Sequence, residues 1–231
     1  MSQRLGVGPQ LILAFILVSV LSISILLGVT IKMVSRSATE NAMELLRETA
    51  SGYADEFDSV LENGLLLANA GKSSLEAIKE IAQENKAAPE RQTAITHLRS
   101  LLKNNPWALA TWTVWEPGAF DGRDADFSKQ PGYDDSGRLV PYVFREGGNI
   151  NVEPLSGYDR PGDGDYYLLA RDKGHEIVLE PYEYNLAGRK ILITSMTVPI
   201  LEGGKVVAAA GADMSLESIT DMMTHHCCPA N

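Results

Sequence analysis

Cysteine is nearly absent from this chain of 231 residues, because only Cys227 and Cys228 occur and they are adjacent near the end. A disulfide framework is therefore excluded for the body of the chain, and the cysteines give no information about its redox compartment. A domain of this size buries enough apolar surface to be stable without such cross-links.

Basic residues are also scarce, since 20 Lys and Arg stand against 30 Asp and Glu, which gives a formal net charge of -10. Nucleic acids and anionic membrane surfaces attract positively charged proteins, so this balance argues against either as the binding partner. Apolar residues make up 45% of the chain and charged residues 22%, as in an ordinary globular protein, which excludes extensive disorder.

Charge of either sign is missing between Arg4 and Lys32. Segment 11–31 is long and apolar enough to cross a bilayer, for which roughly 20 residues are needed. A cleavable signal peptide would have a shorter apolar stretch and a small-residue cleavage site, so we predict a retained transmembrane helix over residues 11–33. Basic residues flank both ends of the segment, and the positive-inside rule therefore does not settle its orientation.

Helical periodicity follows the apolar segment. Apolar residues recur at steps of three and four over residues 37–71, which predicts a long amphipathic helix that Gly71 ends or interrupts. A second helical stretch is predicted over 74–103, with Ser74 as its N-cap and a break near Pro89.

After Pro106 the pattern changes to short β-prone runs separated by turn residues. Glu202, Gly203 and Gly204 predict a tight hairpin between the last two runs. A sheet preceded by long helices favours an α+β fold, in which an antiparallel sheet is flanked by helices. A helix is expected again over 214–223. The predicted strands cover residues 107–115, 142–145, 150–152, 177–184, 190–200 and 205–213.

The long connection 116–141, rich in Gly, Asp and Pro, lies between two predicted strands, and such loops inside compact domains usually serve a function. Its first part and three later motifs resemble the double-Cache sensor domains (dCache_1) of bacterial methyl-accepting chemotaxis proteins. They occur in the order expected of that family, and the resemblance extends over roughly residues 10–220. The motifs are WEPGAFDGRDADF at 115–127, GYDR followed by DYYLLA at 157–170, EPYEY at 180–184 and GADMSL at 211–216.

The resemblance implies a PAS-like Cache module that binds a small molecule in the periplasm, within a receptor that one helix anchors in the inner membrane. It also implies a homodimer formed through the long helix. Complete members continue into a second module, a second transmembrane helix, a HAMP linker and a signalling coiled coil. We therefore expect this chain to be a truncated or frameshifted product. The implied divisions are a cytoplasmic N-terminus at 1–10, the transmembrane helix at 11–33, the long helix at 37–71, the membrane-distal Cache module at 72–214, and a connecting helix with an atypical tail at 215–231.

A ligand pocket lined by aromatic residues and a final aspartate is also implied by the resemblance. Tyr166 and Tyr167 stand where amine- and amino-acid-sensing members have Trp-Tyr. Tyr182 lies at the spacing of a later tyrosine, and Asp213 matches the aspartate that binds the ammonium group of the ligand. Aromatic faces attract cations as well, which suits such a ligand. The predicted ligand-binding residues are Trp112, Trp115, Tyr158, Asp165, Tyr166, Tyr167, Tyr182 and Asp213.

Structural roles compete with this interpretation. Trp112 and Trp115 are expected on one face of a strand, where aromatic residues are often part of the core. Two adjacent tyrosines cannot both face the core, so at least one of Tyr166 and Tyr167 is expected to have another task. Asp213 precedes a predicted helix and could be its N-cap.

The match to the family fails at the arginine that binds a ligand carboxylate. Gly164 stands two residues before Tyr166, and Arg160 is displaced upstream. A carboxylate is best bound by an arginine that donates two parallel hydrogen bonds. A pocket with Asp165 and Asp213, to which Glu180 could be added, but with no positioned arginine therefore favours a cationic amine or polyamine over an amino acid.

Other chemistry finds little support in the sequence. Asp121, Asp124 and Asp126 do not form a calcium loop, because an EF-hand needs Gly at the sixth position, where Lys129 stands. We predict no metal site, no cofactor and no enzyme activity. The predicted function is the sensing part of a chemoreceptor. The alternatives are the input domain of a sensor histidine kinase or diguanylate cyclase, and a stand-alone membrane-tethered binding protein.

Overall fold

The computed structural model describes residues 7–186 and 188–227, and these form two compact units. The first unit reaches Ala54 and the second begins at Asp55. The first unit consists of the N-terminal part of helix α1, which spans Val7–Glu84.

The first unit is a helix with an exposed apolar surface. Its apolar side chains between Leu11 and Val34 are exposed, and α1 has the length and composition of a membrane span, as a signal sequence at this position would also have. Ser22, Ser24 and Thr30 donate their hydroxyls to backbone carbonyls four residues earlier. The helix itself therefore satisfies these three hydroxyl groups.

Helix α1 continues without a break past Gly71, so the prediction that this residue ends or interrupts it is wrong. A Cβ at Gly71 would lie 3.7 Å from the side chain of Ala210, which shows how closely this part of α1 packs on the sheet. Those tertiary contacts outweigh the low helix propensity of glycine. Ser74 also lies inside the helix, where its hydroxyl donates to the carbonyl of Ala70 at 2.8 Å instead of capping a new helix.

The chain leaves the helical conformation between Glu84 and Arg91, which confirms the predicted break near Pro89. Four more helices follow within the described ranges. They are α2 (Arg91–Asn104), α3 (Asp124–Phe127), α4 (Asp165–Lys173) and α5 (Leu216–Cys227).

Seven strands form one antiparallel sheet in the described part of the chain: β1 (Ala110–Trp115), β2 (Pro141–Glu146), β3 (Asn149–Pro154), β4 (Ile177–Val178), β5 (Tyr182–Leu186), β6 (Arg189–Glu202) and β7 (Lys205–Ser215). Their order is β3-β2-β1-β7-β6-β4, and β5 also pairs with β6. The predicted hairpin between β6 and β7 is confirmed. Gly203 and Gly204 at its turn have φ angles of 58° and 81°, as a type I′ turn requires.

The sheet separates two packed layers. The part of α1 in the second unit and α2 cover one face, and α4 covers the other. Alternate residues of β7 serve the two layers, since Ala208, Ala210 and Ala212 pack towards α1 and α2, whereas Ala209 packs on the opposite face. The predicted α+β fold, an antiparallel sheet flanked by helices, is confirmed.

Strand β7 runs to Ser215, two residues further than predicted. Asp213 lies within this strand and pairs with Ser195 of β6, so its interpretation as an N-cap is wrong. Ser215 precedes α5, and its hydroxyl accepts a hydrogen bond from the N–H of Ser218 at 3.0 Å, as an N-cap does. The atypical tail at 228–231 lies outside the described residues, as do the side chains after residue 223.

Candidate functional site

Asp213 places a buried carboxylate in the layer between the sheet and α4. The residue is 2% exposed and accepts three hydrogen bonds. The indole Nε1 of Trp112 donates at 2.8 Å, the hydroxyl of Tyr142 at 2.8 Å and the hydroxyl of Ser195 at 2.7 Å. We call these four residues the Asp213 site.

The register of four neighbouring strands brings these residues together. Ser195 of β6 pairs directly with Asp213 of β7. Trp112 of β1 pairs with Gly211 on one side and with Tyr142 of β2 on the other. Paired residues, and residues two apart along a strand, project from the same face, so all four polar side chains point into one layer.

Tyrosines enclose the Asp213 site. Tyr166 of α4 meets the ring of Trp112 edge-on, with 5.2 Å between the ring centroids. The ring of Tyr184 lies 5.4 Å from that of Tyr142. The hydroxyl of Tyr182 is 2.8 Å from the serine hydroxyl of the site. The carboxylate is therefore surrounded by neutral donors and aromatic rings.

Three residues of this arrangement were not predicted from the sequence: Tyr142, Ser195 and Tyr184. Tyr184 follows Tyr182 by two residues in a predicted strand, so strand alternation was a signal that could have found it. The other two depend on the pairing register of distant strands, for which the sequence carries no local signal. The predicted residues that the structure brings together here are Trp112, Tyr166, Tyr182 and Asp213.

The carboxyl group of Asp213 has a pKa above the ordinary value for an aspartate. Burial raises its pKa to about 6, while the hydrogen bonds from Ser195, Trp112 and Tyr142 oppose that rise. The group is therefore mostly ionised at neutral pH. In residues 7–186 and 188–227, no basic side chain bonds to it. The site carries a negative charge that no cation of the described protein neutralises.

The surrounding phenols remain neutral at physiological pH. Burial is the main cause that raises the pKa of Tyr142, Tyr166 and Tyr182 far above the ordinary value, and it raises the pKa of Tyr184 to about 12. The negative charge of Asp213 acts in the same direction. These residues can therefore donate hydrogen bonds without adding charge to the site.

An open cavity of about 420 Å³ reaches the aromatic enclosure. Tyr182 and Tyr184 line it, and both also belong to the enclosure. Arg160 and Asp163 line the cavity as well and are paired with each other at 3.4 Å, with both side chains largely exposed. A small molecule in this cavity would contact the tyrosines that surround Asp213.

Trp115 is not part of the Asp213 site, and the expectation that it shares a strand face with Trp112 is wrong. Residues three apart in a strand project to opposite faces. Trp115 packs edge-on against Phe120 with ring centroids 4.9 Å apart, and the ammonium group of Lys79 lies 4.9 Å from the centroid of its ring. Its surroundings belong to the layer of α1 and α2.

Tyr158 and Tyr167 are buried, but their hydroxyls bond to the long connection 116–141 and not to the Asp213 site. Tyr158 donates to a carboxylate oxygen of Asp134 at 2.5 Å. Tyr167 donates to a carboxylate oxygen of Glu116. These two predicted site residues therefore join α4 and the chain before it to that connection.

The start of α4 differs from expectation in two respects. Tyr166 and Tyr167 are both buried, contrary to the expectation that only one of them would be. Both fit because their hydroxyls find partners in different segments, and Tyr166 donates to the carbonyl of Ser156 at 3.0 Å. Asp165 accepts the N–H of Gly162 at 2.9 Å, which closes the turn before the helix. The structure therefore does not place Asp165 in the Asp213 site.

Arg91 holds the long connection 116–141 against α2. Its guanidinium donates two parallel hydrogen bonds to Asp121, both at 2.7 Å, a third to Asp124 at 2.7 Å and a fourth to the carbonyl of Gly137 at 2.6 Å. Burial opposes the ionisation of Asp121, but the hydrogen bonds from Arg91 and from the backbone N–H of Arg123, together with the positive charge of both arginines, outweigh it and lower the pKa of that carboxyl. Both aspartates thus have a protein cation as partner.

Comparison with known proteins places the chain among sensor domains. The family described as "Methyl-accepting chemotaxis protein-like, first PDC sensor domain" matches residues 95–221, more than half of the chain. The methyl-accepting chemotaxis protein TlpQ of Pseudomonas aeruginosa is 30% identical over 141 residues, which cover 56% of this chain and 20% of that protein. The chain thus matches about one fifth of the length of this curated relative.

Solved structures show the same fold. The extracellular domain of the histidine kinase described as mmHK1S-Z3 is 32% identical, with a TM-score of 0.61 over 71% of this chain and 55% of that chain. The periplasmic sensory domain of the Campylobacter jejuni chemoreceptor Tlp1 is 13% identical, with a TM-score of 0.58 over 77% of this chain and 62% of that chain. This likeness concerns the fold alone. These relatives are sensor domains of chemoreceptors and histidine kinases. The chain belongs to the family of first PDC sensor domains of methyl-accepting chemotaxis protein-like receptors.

Proposed function

We propose that this chain is the sensing part of a chemoreceptor and that it binds a cationic amine or polyamine, with the ammonium group at the Asp213 site. The observation that carries the proposal is the charge of the site. Asp213 is a buried carboxylate with three neutral donors, and no basic side chain of the described residues pairs with it. An unpaired buried charge costs free energy, and a ligand ammonium would offset that cost.

The aromatic enclosure supports the same class of ligand. A cation against an aromatic face gains about 0.5–2 kcal/mol, and more where water is excluded. Tyr182 and Tyr184 line the cavity, and Tyr166 and Trp112 lie behind them around the carboxylate. A ligand of this kind would combine one ion pair with several ring contacts.

A preference for amines over amino acids follows from the start of α4. A Cβ at Gly164 would lie 2.5 Å from the carbonyl oxygen of Gly157, so an arginine does not fit there without a shift of the backbone. Arg160 lines the cavity but pairs with Asp163, and its side chain is 67% exposed. An amino acid is the second candidate, because Arg160 could exchange Asp163 for a ligand carboxylate.

Two receptor classes fit the comparisons. We favour a chemoreceptor because the matching family describes chemotaxis-protein-like sensors, and a histidine kinase is the second candidate because the domain of mmHK1S-Z3 is 32% identical. We also propose a double-Cache arrangement in the parent receptor, since the matching family describes a first PDC domain.

The N-terminal helix supports an anchored, dimeric receptor. Residues 11–33 would form a single span of the inner membrane, with residues 1–10 in the cytoplasm and the PDC module (residues 95–221) in the periplasm. Beyond the span, α1 exposes Leu45, Leu46 and Tyr53, which would pack against a second copy in a homodimer. Ligand binding would then signal by its different affinity for two arrangements of the helices.

Thermal unfolding of the whole chain in detergent micelles tests the ligand class. Pairs of ligands that differ in charge but hardly in shape are added, namely butylamine with 1-butanol and putrescine with 1,4-butanediol. A ligand at 100 times its Kd stabilises the folded state by about 2.7 kcal/mol. We expect the amines to raise the Tm and the alcohols to leave it unchanged.

Two variants locate the site. Asp213→Asn should abolish the response to amines. Glu183→Gln should retain it, because Glu183 lines the same cavity but its side chain is 65% exposed and pairs with Lys190. A Tm that rises with succinate and with none of the amines would contradict the proposed ligand class.

A further inference from the structure

Two methionines lie directly beneath the Asp213 site, on the other side of the sheet. Met196 follows Ser195 in β6, and Met214 follows Asp213 in β7. Consecutive strand residues project to opposite faces. Each methionine is therefore one peptide unit away from a residue of the site, and both are fully buried.

The methionines join the sheet to two helices. Met196 and Met214 form one apolar cluster with Val60 of α1 and Ile219 of α5. Helix α5 begins at Leu216, immediately after the strand that carries Asp213. The cluster therefore contacts both helices at which the chain enters and leaves the PDC module.

Gly64 makes a notch in α1 that the side chain of Met196 fills. A Cβ at Gly64 would lie 2.0 Å from the Met196 methyl carbon and 3.2 Å from its sulfur. The Met196 methyl therefore occupies the space that a Cβ at position 64 would need, and any other residue there displaces the end of this flexible side chain. Gly71, two turns further along the same helix, is different, because its nearest neighbour would be 3.7 Å away.

We propose that Met196 is a positioning residue that couples the state of the Asp213 site to the position of α1. The inference rests on the proposed sensing function, since the coupling serves a signal only if a ligand changes the site. Ser195 bonds to Asp213 and lies 2.8 Å from the hydroxyl of Tyr182, so a change at the carboxylate reaches the backbone of β6 directly. Met196 passes this change to the helix.

Close packing is the physical basis of this coupling. Protein interiors contain few voids, so a side chain seated in a notch moves only if the notch moves with it or if the side chain leaves it. Two such discrete arrangements are what a helix shift between receptor states requires. Coupling of this kind is reciprocal, so a change at Gly64 must also alter the energetics of the Asp213 site.

A double-mutant cycle in the whole chain tests the coupling without any ligand. Urea unfolding is followed by tryptophan fluorescence, because the chain has 3 tryptophans and all of them lie in the PDC module. The cycle combines Asp213→Asn with Gly64→Ala, and a matched cycle combines Asp213→Asn with Gly71→Ala. Both glycine changes add one methyl group to the same helix.

We expect the Gly64 cycle to be non-additive by about three- to tenfold in the unfolding equilibrium constant, and the Gly71 cycle to be additive within about twofold. In a Met196→Ala background the Gly64 cycle should become additive, because the side chain that carries the coupling is gone. A merely structural role of Met196 would not produce this change. If Gly64→Ala does not fold, Met196→Leu replaces it, since leucine has no methyl group that reaches the notch.

Additivity in the cycles with Gly64→Ala and with Met196→Leu overturns the proposal. Non-additivity that persists in the Met196→Ala background overturns the role of Met196 itself. The thermal unfolding with amines is independent of these cycles. A chain that shows the coupling but binds no amine would refute the proposed ligand and leave the coupling in place. A chain that binds amines but shows no coupling would refute the role of Met196 and leave the proposed ligand in place.

Discussion

Gly211 lies against the indole ring of Trp112, so close that a Cβ at position 211 would be 2.2 Å from two atoms of that ring. The glycine lets the indole lie over the neighbouring strand and reach Asp213, two residues further along β7. This contact explains why a glycine occurs inside a central strand, where it otherwise weakens the sheet.

We predict that Gly211→Ala destabilises the protein by about 1–3 kcal/mol, because the added methyl overpacks the sheet and displaces the indole. The same variant should lose its response to amines, since Trp112 no longer donates to Asp213. Urea unfolding and the amine thermal shift measure the two effects. Gly71→Ala is the control and should be neutral or slightly stabilising, because its methyl has room in a helix. An unchanged amine response in Gly211→Ala would contradict this role of the glycine.

The two tryptophans of β1 should differ in their effect on binding. Trp112→Phe removes a hydrogen bond to a charged group and should weaken amine binding about tenfold or more. Trp115→Phe affects the opposite face of the sheet and should change the Kd by less than about twofold. Isothermal titration of both variants checks the difference. Equal losses in affinity would mean that the site extends beyond the face that we assign to it.

The raised pKa of Asp213 predicts a pH-dependent stability. The folded pKa of about 6 exceeds the ordinary value of 3.8, so the folded protein holds this proton more tightly than the unfolded chain does. The resulting stabilisation is fully present below a pH of about 4 and is lost as the pH rises through about 6. One pKa unit corresponds to about 1.4 kcal/mol, so the total loss is about 3 kcal/mol.

Urea unfolding between pH 4 and pH 7.5 measures this effect as the difference between the wild type and Asp213→Asn. The difference isolates Asp213, because the other carboxyl groups titrate in both proteins. Amine binding should have the opposite dependence and weaken about tenfold per unit below pH 6, since only the ionised carboxylate attracts the cation. A difference in stability that stays constant over this range would show that Asp213 titrates at its ordinary pKa.

Replacement of Arg91 should lower the free energy of unfolding more than replacement of an exposed charged residue does. Arg91→Ala leaves two acidic side chains without their cation in a buried position and should cost about 3–5 kcal/mol. Arg123→Ala is the matched control, because its ion pair with Asp126 has both side chains 56% exposed and should contribute less than about 1 kcal/mol. Similar losses in the two variants would contradict the structural role of the buried pair.

Local sequence patterns were sufficient where the physical cause is local. Three features depend on neighbouring residues alone: the charge-free segment at 11–31, the break near Pro89 and the Gly203-Gly204 turn. The structure confirms the break and the turn. The motif GADMSL at 211–216 also contains Asp213, the residue around which the Asp213 site is built. Packing overrode local preference at Gly71, where contacts with the sheet keep α1 helical.

Pairing between distant strands decided the rest. Asp213 meets Ser195 and Trp112 because β7 pairs with β6 and with β1 in one particular register, and a shift by one residue would turn each side chain to the other face. For the same reason only the structure shows that Tyr142 belongs to the site. The opposite orientation of Trp115 and Trp112 follows from strand alternation alone.

The sequence by itself determined the class of the protein: an apolar N-terminal helix, an α+β sensor fold, and a short set of aromatic and acidic residues from which a cation site could be built. Only the tertiary structure decided which of them meet, that the carboxylate of Asp213 has no basic partner among the described residues, and that Met196 fills the notch at Gly64. The reason is that helices, turns and membrane spans follow from neighbours in the chain, whereas burial, pKa and register follow from residues that are far apart in it.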